Sequence, residues 1–437
     1  MKVLHVLANE NSGGASKACF RLHQALLANG IDSSILMLNK PPIGLKNAYH
    51  YYPYFETKSQ KFFSRVKYKF EKLLKTGHSY FVQKHRSIQA RILKQKEKGL
   101  EVFTFPISNW DITTHPIYNE ANIIHLHWVS SGFIDYKTYF RNNKKPILWT
   151  LHDMNPFTGG CHFSGTCDRY LIDCEQCPEL TNTQYPNYSN FIFGYKEDAL
   201  RNLNNLTIIC PSQWLKNCSE KSSLFKKFKH SVIPYPVDEK VFNIHNSESL
   251  SVELEPSVKK RLLFSAYNLS NRRKGLNLLI DALKKYESLS DQIELVIVGK
   301  SNPELNLEGY TVHNLGFIEN DKKLSGIYRM CDVYIMPTIA DNLPNTVIES
   351  LMCGTPVIGF NVGGMCDMVK NNKNGFLIDD FSSLSLYNTI KHFLNQSELA
   401  SRDEISKNMT SRYSYDEIVK QHSKIYNQVI NGYSIHN

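Results

Sequence analysis

At 437 residues, with 42% hydrophobic and 12% aromatic composition, the chain is long enough for two cores and too apolar for disorder. No run of eighteen apolar residues occurs, which excludes a membrane-spanning helix. The net charge of +10 is local: residues 56–98 hold thirteen Lys/Arg against three Glu, so the remainder is near neutral, unlike a nucleic-acid binder with basic residues spread over its surface.

The opening stretch MKVLHVLANEN has no long apolar region followed by a small-residue cleavage site. It reads as a first strand, and the expected location is cytosolic. In chain order, residues 3–8 form an apolar strand, NSGGAS a turn, and Ser16–Asn29 a helix with Ala18, Leu22, Ala25 and Leu26 on one face. Strands follow at 33–38, 123–128, 146–153 and 206–212, and two prolines frame an extended link over 231–242. The second half repeats the rhythm. Strands are expected at 261–267, 293–299, 311–317, 332–337 and 355–360, with helices at 276–286, 324–330 and 346–352. Apolar strands alternating with helices imply parallel sheets covered on both faces. The expected fold class is therefore α/β, with two Rossmann-like domains at 1–232 and 233–414 facing a central cleft. A last helix, 415–437, has no strand after it and is expected to pack back across that cleft.

The stretch 337–364, PTIADNLPNTVIESLMCGTPVIGFNVGG, carries two carboxylates eight positions apart, Asp341 and Glu349, and then Gly363-Gly364. Pro337 ends a strand, so this loop lies on the carboxyl side where α/β sheets bind ligands. Pro344 suits a first helical turn, which leaves backbone N–H groups near Asn345–Val347 at the positive end of the helix dipole. Such a helix start suits a diphosphate. Glu349, one turn further in, can accept from a ribose diol, Asp341 from sugar hydroxyls, and the glycines let backbone approach a ligand. Each feature alone is equally well read as a cap or a turn; their joint placement after one strand favours a ligand site.

This stretch resembles the E-x7-E signature of retaining GT-B glycosyltransferases of family 4, with Asp341 in place of the first Glu. DNLPNTVIE is similar to the polysaccharide-biosynthesis branch related to colanic-acid transferases. SNRRKG (270–275) resembles the family's phosphate-binding loop, SGGAS (12–16) its N-terminal glycine loop and IPYPVD (233–238) its interdomain link. His152 in WTLHD matches its cleft histidine. The resemblance implies a GT-B fold and a nucleotide-diphosphate sugar donor held by Gly13, Gly14, Arg272, Arg273, Lys274, Asp341, Asn342, Leu343, Asn345, Thr346, Glu349, Gly363 and Gly364. His152, Lys274, Asp341 and Glu349 would be the catalytic group. Where the family often has an arginine six residues before the loop lysine, this chain has Asn268, so Arg272 or Arg273 would take that role. The implied reaction is front-face displacement with retention, to a glycan or lipid-linked acceptor in bacterial surface polysaccharide synthesis. No cofactor is required for that chemistry, and no D-x-D triplet marks a metal-dependent donor site. A sugar-nucleotide epimerase, a phosphorylase and a non-catalytic membrane-associated scaffold are the competing readings.

Two further segments carry signals of their own, and the resemblance covers nearly the whole chain apart from the second, basic one. Cys161, Cys167, Cys174 and Cys177 are spaced C-x5-C-x6-C-x2-C. In a reducing compartment such clustering reads either as a structural Zn²⁺ site or as thiols without metal. In residues 58–75, Phe62, Val66, Phe70, Leu73 and Leu74 recur at helical spacing among Lys and Arg. That pattern places 58–98 against an anionic membrane surface, or alternatively against the domain core. No nucleic-acid partner is expected, because no recognised motif accompanies the charge.

Overall fold

The computed structural model describes residues 1–8, 13–51, 66, 69–70, 73–74, 76–95, 103–130, 132–245, 254–301, 305, 307–396 and 398–436. The chain forms two compact units, the first from residues 1–211, 215–233 and 419–437, the second from 212–214 and 234–418.

The first unit runs β1 (Lys2–Leu7), α1 (Gly14–Ala28), β2 (Asp32–Met37), β3 (Ala48–His50), α2 (His78–Gln95), α3 (Pro116–Glu120), β4 (Ile123–Leu126), α4 (Tyr136–Asn142), β5 (Ile147–Thr150), α5 (Tyr188–Leu200), β6 (Leu206–Cys210), α6 (Gln213–Lys221) and β7 (Lys229–Val232). Its strands pair in parallel in the order β3-β2-β1-β4-β5-β6-β7. The order reverses between β1 and β4, where the open-sheet rule puts a ligand crevice. Helix α1 buries Ala18, Leu22, Ala25 and Leu26 as the sequence spacing demands. It stops because Gly30 takes φ +73. The Gly30 and Ile31 N–H groups then bond back to the Leu27 and Leu26 carbonyls at 3.1 and 2.9 Å, closing a Schellman turn.

The second unit runs β8 (Lys260–Asn268), α7 (Leu276–Lys284), β9 (Ile293–Lys300), β10 (Thr311–Asn314), α8 (Asp321–Met330), β11 (Val333–Met336), α9 (Asn345–Met352), β12 (Val357–Phe360), α10 (Met365–Met368), β13 (Gly375–Ile378), α11 (Ser383–Gln396) and α12 (Arg402–Tyr413). Its parallel sheet is ordered β10-β9-β8-β11-β12-β13 and reverses between β8 and β11. Ser401 caps α12, accepting the Glu404 N–H on its Oγ at 3.2 Å. Helix α13 (Tyr415–His436) leaves this unit at Ile418, and its later residues count with the first unit. There the Tyr426 hydroxyl meets His125 Nδ1 at 2.7 Å.

Each strand and helix expected from the sequence outside 58–75 is present, with ends shifted by a few residues. Strands β3, β7 and β13 were not anticipated, and β7 takes the first residues of the expected link. The basic segment divides in two. Helix α2 turns Val82 and Ile92 inward onto Phe103, Phe105, Leu180 and Ile192, and His85 onto Tyr188 and Phe191, so this half packs on the core. Val66, Phe70, Leu73 and Leu74 are all exposed, Leu73 by 79%. Phe62 and most of 58–75 lie outside the described residues. None of the described helices is long and apolar enough to cross a membrane.

Candidate active site

In the second unit, three loops meet at the carboxyl ends of β8, β11 and β12. The first is a single 3-10 turn, Arg272–Lys274, opened by Asn271, whose side chain accepts the Arg273 N–H at 3.0 Å. It is pressed onto the second. Arg273 O accepts the Ile339 N–H at 2.9 Å and the Thr338 hydroxyl at 3.0 Å. Gly275, at φ +79, is required by this contact, since a Cβ there would lie 1.8 Å from Pro337 O.

Two cations converge on one carboxylate oxygen. Lys274 Nζ donates to Asp341 Oδ2 at 2.6 Å and Arg273 Nη1 to the same oxygen at 3.2 Å. Asp341 Oδ1 accepts the Asn342 N–H at 3.0 Å. Burial alone would raise the Asp341 pKa, but Lys274, Arg273 and the Asn342 N–H outweigh it and hold the carboxyl below its ordinary value. Arg272 is exposed and does not join this group. Of the two arginines considered, Arg273 is therefore the one placed beside Lys274.

Helix α9 begins at Asn345 after Pro344, which stands as N-cap with no side-chain cap. Thr346 Oγ1 accepts the Tyr334 hydroxyl at 2.9 Å. Glu349 is completely buried, and its Oε2 accepts the Tyr328 hydroxyl from α8 at 3.2 Å. Leu343 is also buried, and Asn342 is held by the Ser212 hydroxyl at 2.7 Å. Gly363, at φ +53, and Gly364 serve this same loop. A Cβ on Gly363 would lie 1.7 Å from Asp341 O, and one on Gly364 2.3 Å from Asn342 O. The close backbone approach that requires the glycine pair is to Asp341–Asn342, which it locks in position.

The first unit sets a cluster of buried histidines at the reversal between β1 and β4. Gly13 is the N-cap of α1 and Gly14 its first residue; of the expected glycine loop 12–16, only Ser12 lies outside the described residues. His5 and His125 are register partners on β1 and β4. His5 Nδ1 meets His127 Nε2 at 2.9 Å, and His127 Nδ1 meets His152 Nε2 at 3.1 Å. Burial pushes the pKa of His5, His125 and His127 well below the usual value and that of His152 down to about 4, so the chain is neutral near pH 7. His5 Nε2 is buried with no hydrogen-bond partner. Leaving that nitrogen unprotonated avoids an unpaired buried N–H. The proton then sits on His5 Nδ1, His127 donates through Nδ1, and His152 accepts at Nε2.

His5, Cys19 and His127 bring donor atoms within 4.8 Å of one another, the spacing of a metal site. The short nitrogen–nitrogen contact is better explained by a shared proton, and burial raises the Cys19 thiol pKa. The next residue after His152, Asp153, accepts from Trp128 Nε1 at 2.9 Å and pairs with His162 Nδ1 at 2.7 Å. The sequence reading missed this network and the histidine chain. Its signal was the period-two pair in IIHLHW, together with His5 in VLHVLA.

Two parallel α/β sheets, each reversing its strand order once, define a two-domain Rossmann-like protein. Solved structures identify the arrangement as the GT-B fold. The chain is similar to sucrose-phosphate synthase from Thermosynechococcus elongatus (TM-score 0.65, 17% identity, 99% of this chain and 100% of that one). It is also similar to Anabaena HepE solved in complex with UDP and glucose (TM-score 0.59, 15% identity, 98% and 99%). Residues 246–412 match the family described as "Glycosyl transferases group 1". Among curated proteins it is 23% identical over 328 residues to a putative colanic acid biosynthesis glycosyl transferase, WcaC, of Escherichia coli strain K12. That match spans 72% of this chain and 77% of that protein.

Proposed function

We propose that the chain is a cytoplasmic, retaining glycosyltransferase. It takes a sugar from a nucleotide-diphosphate donor and passes it to a glycan or lipid-linked acceptor in surface polysaccharide synthesis. The observation that carries this reading is the convergence of Lys274 and Arg273 on Asp341 within the group 1 domain. These are two fixed cations at a sheet reversal, held by backbone contacts and balanced by a single carboxylate. HepE was solved with UDP and glucose, which supports a nucleotide-sugar donor here.

On this reading Asp341 is the counter-ion that the donor replaces. The diphosphate takes over Lys274 and Arg273, and Asp341 turns to the sugar hydroxyls. The two cations and the start of α9 then stabilise the charge that develops on the leaving phosphate, which is where catalysis gains most. The departing phosphate oxygen removes the acceptor proton, so no protein nucleophile is needed. Glu349, fixed by Tyr328, receives the ribose hydroxyls. The test is a transfer reaction followed by NMR: the product must keep the anomeric configuration of the donor. Inversion would end the retaining assignment, and donor hydrolysis or epimerisation without transfer would end the transferase reading.

Residues 58–75 bring the enzyme to an anionic membrane face. The support is exposed Val66, Phe70, Leu73 and Leu74 in a strongly basic stretch. Phe70→Glu/Leu73→Glu should abolish sedimentation with phosphatidylglycerol vesicles, and unchanged sedimentation would contradict the docking.

A further inference from the structure

The four cysteines at 161–177 are brought around one small space. We propose that Cys161, Cys167, Cys174 and Cys177 bind a single structural Zn²⁺ that fixes the loop carrying His162 to the loop carrying His152. All four line one cavity of about 20 Å³, together with Gly159, Arg169 and Ser189. A space of that size holds one water-sized atom. All ten cysteines of the chain are free thiols, so no disulfide claims these four.

The loop is built to bring sulfur inward. Cys174 and Gln176 take left-handed φ values of +56 and +49, costly for non-glycine residues and common where a chain is bent around a site. The Gly159 N–H donates to Cys174 Sγ at 3.1 Å. A Cβ at Gly159 would lie 2.9 Å from Cys174 Cβ and 2.4 Å from Ser189 O, so only glycine admits this approach. The Ser189 hydroxyl donates to Cys174 O at 2.7 Å and pins the same turn. A backbone N–H donated to sulfur, as from Gly159, supports a thiolate ligand from behind.

Charge balance points the same way. Zinc with four thiolates carries a net charge of −2. Lys196 is fully buried beneath this loop, donating to Asn155 O and, at 2.8 Å, to Thr158 O. Asp153 lends it one carboxylate, and Cys174 and Cys161 would act on its charge once ionised. Arg169 lines the cavity itself. Two cations beside one carboxylate leave room for the further negative charge of a tetrathiolate centre. The sulfurs stand more openly than in a closed centre, since no three of them fall within 4.8 Å of one another. Capture of the ion draws them together and releases the four thiol protons to solvent. The consequence for the site runs through Cys161: its neighbour His162 pairs with Asp153, next to His152.

The full-length chain, purified without chelator, is assayed for metal by mass spectrometry and for thiol reactivity by alkylation. About one zinc per chain is expected, falling at least tenfold in Cys174→Ser/Cys177→Ser and unchanged in Cys366→Ser. Cys161, Cys167, Cys174 and Cys177 should resist alkylation together and become reactive together when a chelator is added. Should the double variant fail to fold, the wild-type alkylation pattern decides. A folded wild-type chain that takes up no zinc, with these thiols reactive from the start or paired as disulfides, would overturn the proposal.

Discussion

The two units share a topology and fill its point of reversal in opposite ways. The first gathers neutral groups: His5, His127 and His152 hold one another by hydrogen bonds, and burial keeps them uncharged. The second gathers charge: Lys274 and Arg273 around Asp341. Both arrangements satisfy the rule that a buried ionisable group is either neutralised or paired. They differ in what they can do next. Paired charges can exchange one anion for another, whereas a neutral histidine chain can only orient a hydrogen bond or pass a proton.

The largest effect that sharpens this contrast is on catalysis. Lys274→Ala should lower kcat/KM by about 10²–10³-fold, the loss expected for one preorganised stabiliser of a developing anion. His127→Asn, measured under the same conditions, should lower it less. If the histidine variant were the more damaging, the division of labour between the units would be wrong.

Next in size is a backbone effect confined to the second unit. Gly363→Ala places a Cβ against Asp341 O and should destabilise that unit by about 3–5 kcal/mol in denaturant titrations. Gly44→Ala, at φ +85 with open space around it, should cost about 1–2 kcal/mol from backbone strain alone. Equal costs would show that the close approach of the glycine to Asp341 is not a constraint.

Acid should separate the units. His152 titrates near 4 in the folded chain against an ordinary 6.5. Between those values the unfolded chain binds more protons, so stability is complete above about pH 6.5 and declines as pH falls towards 4. Asp341 is shifted below 3.8, so its contribution is present above that value and fades only as pH falls further. Hydrogen exchange resolved by segment should therefore show the first unit loosening at higher pH than the second. Replacement of His127 by Asn should flatten the first unit's pH dependence. Loss of both units at one pH, unaffected by that substitution, would contradict the assignment of neutral histidines.

The smallest effect concerns Asp341 itself. As the competing counter-ion, its removal in Asp341→Asn should tighten binding of a free nucleoside diphosphate by about three- to tenfold, roughly 1 kcal/mol. The same change should weaken sugar transfer. Weaker diphosphate binding would mean that Asp341 assists the anion instead of standing in for it.

The sheets were legible because buried parallel strands are continuous apolar runs, as in RLLFSAY and IELVIVG. β7 was missed because KHSV carries little apolar signal, and β13 because GFLI follows a polar turn. The stretch 337–364 was legible from its carboxylates, prolines and glycines. The purpose of its glycines was not, because the clash they relieve is with Asp341 and Asn342, some twenty residues away in sequence. Glu349 was found from spacing, while its partner Tyr328 depends on how α8 packs against α9. The histidine chain required knowledge of which strands are neighbours. His5 and His127 are 122 positions apart, and only the reversal between β1 and β4 brings them together.

The central claim is that Lys274, Arg273 and Glu349 form the donor site. Calorimetric titration of UDP-, GDP-, ADP- and dTDP-sugars into wild type, Lys274→Ala and Glu349→Gln tests it most directly. The account predicts measurable binding of one nucleotide class by wild type, weakened at least tenfold in both variants. Wild-type binding that both variants retain in full, or no binding of any nucleotide sugar, would contradict it.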